Sequence, residues 1–177
     1  KESAGNINAT RIDGENTVIS ADGVYFITDN AKGTSIQGGS YPKLHIIGDS
    51  PTQRVDLRLD GTVTFAGTLK SLKITDNSNG DALKAAENAT ILIDNCHLTT
   101  STSADKSQLF YVRVNVTKFA MHNCDFQVNA DAKDLWKLTG SGAFNTFEMV
   151  NNLFYSEQDR FKFMVINGST ATITNLL

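Results

Sequence analysis

Ile91-Leu-Ile-Asp-Asn-Cys-His-Leu98 returns twice along the chain, as Phe119-Ala-Met-His-Asn-Cys-Asp-Phe126 and as Phe147-Glu-Met-Val-Asn-Asn-Leu-Phe154. Successive copies begin at positions 91, 119 and 147, so the interval between them is constant. Each copy alternates apolar and polar residues around an Asn, which predicts a strand with one buried face. The period is too short for a βαβ unit of roughly 30 or more residues. It indicates instead a coil of short strands that stack in parallel, about 4.8 Å apart.

Two weaker copies flank the three strong ones. Leu69-Lys-Ser-Leu-Lys-Ile74 places Ser71 24 residues before Asn95. Ile173-Thr-Asn-Leu-Leu177 places Asn175 24 residues after Asn151. We expect these positions to form an inward ladder of hydrogen-bonded side chains at a bend of the chain. The ladder comprises Ser71, Asn95, Asn123, Asn151 and Asn175. Removing a member should strand buried polar groups, so Asn123→Ala should be more destabilising than Asn129→Ala.

The fold that we predict is all-β: a single-stranded, right-handed parallel β-helix (a solenoid) of about seven rungs. The whole chain, 1–177, forms one domain, with an irregular segment at 1–16, atypical first rungs at 17–68 and regular 24- to 28-residue rungs at 69–177. An antiparallel sandwich or jelly roll is the alternative, but it gives no reason for a pattern that returns at constant spacing.

The N-terminal part is less regular but also indicates strands. Apolar runs at 17–20, 24–27, 44–47 and 55–59 are separated by turn signals such as Gly38-Gly39 and Asp60-Gly61. Helix signals are weak: 81–87 reads as a helical turn or a poor strand, and 131–136 is ambiguous.

Charge and composition exclude several partners. The net charge is −3 and the 16 Lys and Arg residues are scattered, whereas nucleic acid requires a basic stripe. No apolar run approaches the roughly 20 residues that span a bilayer. An opening at Lys1-Glu2 without Met suits a processed, exported protein, so we expect a secreted or cell-surface location. Because Leu177 ends a strand-like copy, we also expect further rungs, a cap or end-to-end self-association at that edge.

The two cysteines, Cys96 and Cys124, occupy the same inward position of successive copies. Neighbouring side chains on parallel strands point the same way, which suits a disulfide poorly. We expect two buried, stacked thiols.

The outward positions contain the candidate binding residues. Stacking the copies brings Asp94 beside His122 and His97 beside Asp125. This group is suited to gripping a sugar, to acid–base chemistry or to binding a metal, and a solvated polar face is the alternative. Tyr111 and Arg113 form a second candidate, because a tyrosine ring stacks on a sugar face and Arg forks to a carboxylate. Trp136 and Tyr155 are expected on the same outer surface.

Strand-bend-strand copies that end in Asn-Cys-x-aromatic, as in Asn123-Cys-Asp-Phe126, resemble the pectin-lyase-like superfamily. More narrowly, they are similar to uncharacterised right-handed β-helix proteins exported by gut anaerobic bacteria. The opening Ala21-Asp-Gly-Val-Tyr-Phe-Ile27 followed by Leu44-His-Ile-Ile-Gly48 also suits that group. The resemblance covers about residues 17–177 and implies the fold. It does not carry an enzyme site over, because the Asp-Asp pair, Gly-His-Gly and Arg-x-Lys of the polygalacturonase-like members are absent.

These observations predict a non-catalytic module that binds polysaccharide through Asp94, His97, Tyr111, Arg113, His122 and Asp125. A polysaccharide lyase or hydrolase of pectin-lyase-like type is the alternative, and a structural or adhesin spacer is a third reading. We expect no catalytic residue, no metal and no cofactor, and calcium would enter only under the lyase alternative.

Overall fold

The computed structural model describes residues 8–50, 52–78, 80–99, 108–128, 134–156, 162–167 and 172–177. Strands make up 72% of the structure, and these described parts contain no helix, hence none that is long and apolar enough to cross a membrane. The strands are β1 (Ala9–Ile12), β2 (Val18–Ile19), β3 (Gly23–Thr28), β4 (Ser35–Asp49), β5 (Val55–Lys70), β6 (Leu72–Asp76), β7 (Leu83–Ala85), β8 (Ala89–Asp94), β9 (His97–Thr99), β10 (Gln108–Val112), β11 (Asn115–His122), β12 (Asp125–Val128), β13 (Asp134–Thr139), β14 (Ala143–Val150), β15 (Leu153–Ser156), β16 (Lys162–Asn167) and β17 (Thr172–Leu176).

Every strand pairing is parallel, and the chain winds into a β-solenoid of about five turns. The strands stack in three columns, which we call the first, second and third faces. The first face contains β1, β3, 44–49 of β4, 67–70 of β5, β8, β11, β14 and β17. The second contains β2, 35–37, 55–59, β6, β9, β12 and β15. The third contains 39–41, 63–65, β7, β10, β13 and β16. The predicted parallel coil is therefore confirmed, and the antiparallel alternative is wrong.

The predicted spacing and the predicted side-chain directions are also confirmed. Ile93 pairs with Leu69 below it and with Met121 above it, at the two intervals that the repeat predicts. The inward Ile91, Ile93 and Leu98 are buried, whereas the outward side chains are partly exposed: Leu92, Asp94, His97 and Thr99. Alternation in the sequence thus separates the core from the surface, because successive side chains of a strand point to opposite faces.

The bend between the first and second faces is made by a left-handed backbone. Ser71, Asn95, Asn123 and Asn151 have φ between 51° and 56°. Asn tolerates this region better than other residues with a side chain, which explains why it recurs there. The prediction that these side chains point inward is wrong, since the three asparagines are exposed.

The ladder runs along the outside of this bend. The Nδ2 of Asn95 donates to the Oγ of Ser71 at 3.2 Å, and the Nδ2 of Asn151 donates to the Oδ1 of Asn123 at 2.9 Å. The Nδ2 of Asn123 instead donates to the Oδ1 of Asp94 at 3.2 Å. The ladder is therefore present but interrupted between Asn95 and Asn123.

Asn175 does not belong to the ladder, so this part of the prediction is wrong. It pairs with Thr146 rather than with Asn151, and its Nδ2 donates to the carbonyl of Asn145 at 2.9 Å. The last turn of the coil is longer than the 24 residues that separate Asn151 from Asn175. A single Asn that fits the repeat cannot reveal the length of a turn. Asn129 lies outside the described residues.

The glycine pairs of the N-terminal part bend strands rather than end them. β4 and β5 run continuously over 15 and 16 residues and pass around corners of the coil. Gly38 and Gly61 stack at one corner, where a Cβ on Gly38 would lie 3.1 Å from the Cα of Gly61. The expected strand ends at Gly38-Gly39 and Asp60-Gly61 are thus wrong, although the chain does bend there, because small residues let the two backbones approach while pairing continues.

The boundaries of two other predicted segments also differ. Strand β1 lies within 1–16, which was expected to be irregular, and pairs with β3. The ambiguous segment 81–87 contains strand β7, and Asp134–Thr139 forms β13, so neither region is helical where it is described.

The core is filled by stacked aromatic rings in its C-terminal half. Phe119 stacks on Phe147 with ring centroids 5.3 Å apart, and Trp136 contacts both at 6.0 to 6.1 Å. Trp136 is fully buried, so its expected place on the outer surface is wrong. It pairs with Phe110 on the third face and thus takes an inward position.

We predict that Asn123→Gly retains more stability than Asn123→Ala. Alanine in a left-handed backbone costs about 1–2 kcal/mol, whereas glycine adopts it freely. Urea unfolding measures both, and Asn30→Ala is a control at an exposed position without positive φ. Equal losses for the two Asn123 variants would mean that the side-chain ladder, rather than backbone geometry, sets the cost.

Candidate functional site

A cluster of polar side chains lies beside the bend between the first and second faces. We call Arg54, Asn95, His97, Asn123 and Asp125 the bend cluster. Parallel pairing places Asp125 directly above His97, and the two side chains are hydrogen-bonded through Nδ1 and Oδ2. The predicted approach of these two residues is confirmed. The Oγ1 of Thr99 lies 2.9 Å from the other ring nitrogen of His97 and fixes the ring orientation.

Arg54 joins the members of the bend cluster across several turns. Its Nη1 forms an ion pair with Asp125, and its Nε donates to the Oδ1 of Asn95 at 3.2 Å. Its Nη2 donates to the backbone carbonyl of Asn123 at 3.3 Å. Burial alone would raise the pKa of Asp125, but the hydrogen bonds from His97 and Arg54 outweigh it and lower that pKa. Asp125 is therefore held ionised and in a fixed orientation.

Two further carboxylates face outward on the first face. Asp94 of β8 is paired with His122 of β11, as predicted. The side chain of Asp94, however, contacts Lys70 at 3.1 Å and Asn123 at 3.2 Å. His122 contacts Glu148 instead, with 2.5 Å between Nε2 and Oε1. Asp94 and His122 are thus neighbours that each have a different partner.

Cations lower the pKa of both carboxylates. Burial would raise the pKa of Asp94, but the hydrogen bonds from Lys70 and Asn123 lower it overall. The hydrogen bond from Lys118, followed by that from His122, lowers the pKa of Glu148. Acidic and basic groups therefore alternate along this edge of the coil, and each carboxylate is ionised.

A polar cleft of about 500 Å³ adjoins the bend cluster on its N-terminal side. Its charged and hydroxyl-bearing walls are Thr28, Asp29, Lys32, Arg54, Asp56 and Lys73. Lys73 pairs with Asp56 on one side and with His97 on the other, so the cleft and the cluster share one column of the second face. One continuous outward strip therefore runs along this column, formed in order by Asp56, Lys73, His97 and Asp125.

Tyr111 and Arg113 lie apart from the bend cluster. Tyr111 is on the third face, where its hydroxyl is 2.9 Å from the Oγ1 of Thr139 and the Nζ of Lys84 is 5.3 Å from its ring centroid. The eight-residue strand β11, about 26 Å long, separates this region from His122. The two predicted candidates are therefore two different surfaces.

The predicted arrangement of the cysteines is confirmed. Cys96 and Cys124 are buried and free, and the amide of Cys96 lies 3.4 Å from the Sγ of Cys124. Burial raises the pKa of the Cys96 thiol. Both cysteines therefore pack as small apolar residues of the core.

Several residues of the site were missed in the sequence. Lys70 and Glu148 could have been found from the repeat. Lys70 takes the position of Asp94 one copy earlier, just before the bend residue. Glu148 takes the position of Ala120 one copy later. Arg54 has no equivalent in the repeat and precedes its strand, so no pattern pointed to it. Tyr155, the other outward aromatic that was expected, is exposed above Gln127.

No protein-family model, curated protein or solved structure matches this chain. Within the described parts of the chain, no group of three or more His, Cys, Asp and Glu side chains is arranged to hold a metal ion.

We predict that stability falls with acidification because the folded state holds Asp94, Asp125 and Glu148 ionised. A lowered pKa in the folded state means that unfolding takes up protons, so stability is full above the ordinary carboxyl pKa of about 4 and is lost as the pH falls below it. Asp125→Asn should lose about 1–3 kcal/mol at neutral pH and flatten this pH dependence.

Urea unfolding between neutral and strongly acidic pH measures this effect. Glu87→Gln, an exposed carboxyl-to-amide change with no ion pair in the described structure, should preserve the wild-type slope. A wild-type slope in Asp125→Asn would contradict the assignment of Asp125 to this dependence.

Proposed function

We propose that the protein is a secreted or cell-surface module that binds a polysaccharide along its coil and does not cleave it. The observation that carries the proposal is the outward strip of Asp56, Lys73, His97 and Asp125, which continues into the polar cleft. Donors and acceptors follow one another there at the rung spacing of about 4.8 Å. A regularly repeating surface suits a regularly repeating ligand.

The bend cluster is already held in position before any ligand arrives. Asp125 is hydrogen-bonded by His97 and Arg54, and Arg54 is further fixed by Asn95. Side chains that are ordered in advance lose little conformational entropy on binding, which favours affinity for a hydroxyl-rich ligand. This supports a binding role for the second face, and Tyr111, on the third face, lies outside the strip.

The electrostatics favour binding over hydrolysis. A general-acid carboxyl must stay protonated near neutral pH, which requires a raised pKa. The pKa values of Asp94, Asp125 and Glu148 are lowered by the hydrogen bonds that they accept, chiefly from Lys70, His97 and Lys118 respectively. These groups are therefore suited to accepting hydrogen bonds from sugar hydroxyls.

We further propose that the coil is right-handed, has about seven rungs and is related to the pectin-lyase-like proteins. Right-handed crossovers are the rule between parallel strands of a sheet. A column of seven residues on the first face, which runs from β1 to β14 and leaves out the last strand β17, supports seven: Thr10, Tyr25, Ile46, Leu69, Ile93, Met121 and Met149. The Asn-Cys-x-aromatic segment at 123–126, at the bend, supports the relationship.

Glycan-array screening followed by gel retardation in polysaccharide tests the function. We expect at least one polysaccharide to bind, His97→Gln to weaken binding and Arg113→Gln, on the far side of β11, to leave it unchanged. Incubation of the protein with the same polymer and with uronate polymers, with and without calcium, should release no unsaturated or shortened products. Turnover would establish the lyase or hydrolase alternative, and an empty screen would leave a structural spacer.

A further inference from the structure

The charged groups of the cleft are balanced. Lys32 and Lys73 contribute two positive charges to its walls, and Asp29 and Asp56 contribute two negative charges. The fifth charged residue, Arg54, is neutralised by its ion pair with Asp125. The cleft therefore offers cationic donors and anionic acceptors in equal number, with no excess charge to be compensated by an ionic ligand.

Most of these groups are available to a ligand. Lys32, Asp56 and Lys73 are exposed and make no ion pair in the described parts of the chain. Asp29 accepts one hydrogen bond, from the Nε2 of Gln53 at 3.2 Å, and retains further acceptor positions. Their hydrogen-bonding capacity is thus largely directed to solvent or to a bound molecule.

A buried hydroxyl in the same wall adds an independent indication of a ligand. Thr28 is only 5% exposed, and its Oγ1 has no hydrogen-bond partner among the residues that the structure describes. A buried hydroxyl without a partner is destabilising. The folded protein keeps this unpaired hydroxyl beside a polar cleft. A water molecule in the cleft, or a ligand hydroxyl that displaces the water, would supply the missing hydrogen bond.

We propose that the cleft binds a neutral, hydroxyl-rich sugar unit of the polysaccharide and discriminates against uronates. Each sugar hydroxyl donates one hydrogen bond and accepts others, so vicinal hydroxyls match carboxylates and ammonium groups that stand side by side. A uronate carboxylate would meet Asp29 and Asp56 as well as Lys32 and Lys73, so repulsion offsets attraction and the cost of removing the carboxylate from water is not compensated. The inference rests on the proposed function and specifies which class of polysaccharide is bound and where.

Fluorescence anisotropy with labelled oligosaccharides tests the inference on the full chain. The probes are neutral gluco-, manno-, galacto- and xylo-oligomers and a galacturonate oligomer of equal length, each at low and high salt. We expect a neutral oligomer to bind with an affinity that salt hardly changes, because no net charge is screened. Lys73→Gln and Asp56→Asn should each weaken it about tenfold, the loss from one charge-assisted hydrogen bond.

Two further variants make the result specific. Lys137→Gln, on the third face, is the matched control for Lys73→Gln and should bind like the wild type. The double variant D29N/D56N should gain affinity for the galacturonate oligomer because both repelling charges are gone, a gain that misfolding cannot produce. Urea unfolding confirms that every variant is folded.

Each result has a distinct meaning. Preference of the wild type for the galacturonate oligomer would overturn the inference and leave the polysaccharide-binding function standing. Neutral-oligomer binding that Lys73→Gln and Asp56→Asn leave at the Lys137→Gln level would refute the cleft as its site. Failure of every oligomer and polymer to bind would refute both proposals.

Discussion

The structure depends on the parallel pairing of each strand with its copy one turn away. Because Ile93 must lie between Leu69 and Met121, each turn must return the backbone to the same place in the column. The left-handed conformation of Ser71, Asn95, Asn123 and Asn151 turns the chain at the same point of successive coils. Backbone geometry at these bends therefore sets which residues stack, and the site inherits its order from that stacking.

The stacking also accounts for the contrast between interior and surface. Inward positions unite equivalent apolar residues into continuous columns, such as Phe119 on Phe147, so each turn buries a face that it could not bury alone. At outward positions, stacking places the polar side chains of successive turns next to one another. Along the edge near the bend these alternate in charge, and Lys70 with Asp94 and Lys118 with Glu148 hold one another in place.

An outer surface built from stacked strands can bind ligands of varied chemistry, but the binding groups of the ligand must match the spacing of the turns. The column from Asp56 to Asp125 is held by strands, so its groups keep their separation, whereas Asp29, Lys32 and Arg54 of the cleft lie between strands. The proposed function follows from the rigidity of the column, since a polymer whose units carry paired hydroxyl groups gains from contacting several turns at once.

The sequence by itself determined the strands, the period of the coil, the inward column of Cys96 and Cys124 and the meeting of His97 with Asp125, because parallel stacking converts spacing along the chain into contact in space. Only the tertiary structure decided the rest. Whether an Asn side chain faces outward follows from φ at the bend, and the reach of Arg54 across several turns depends on how far an extended guanidinium extends. The cleft joins residues from three separate turns, and no local pattern encodes a space between them. Trp136 shows the same limit, since its inward direction depends on which residue of β13 pairs with Phe110.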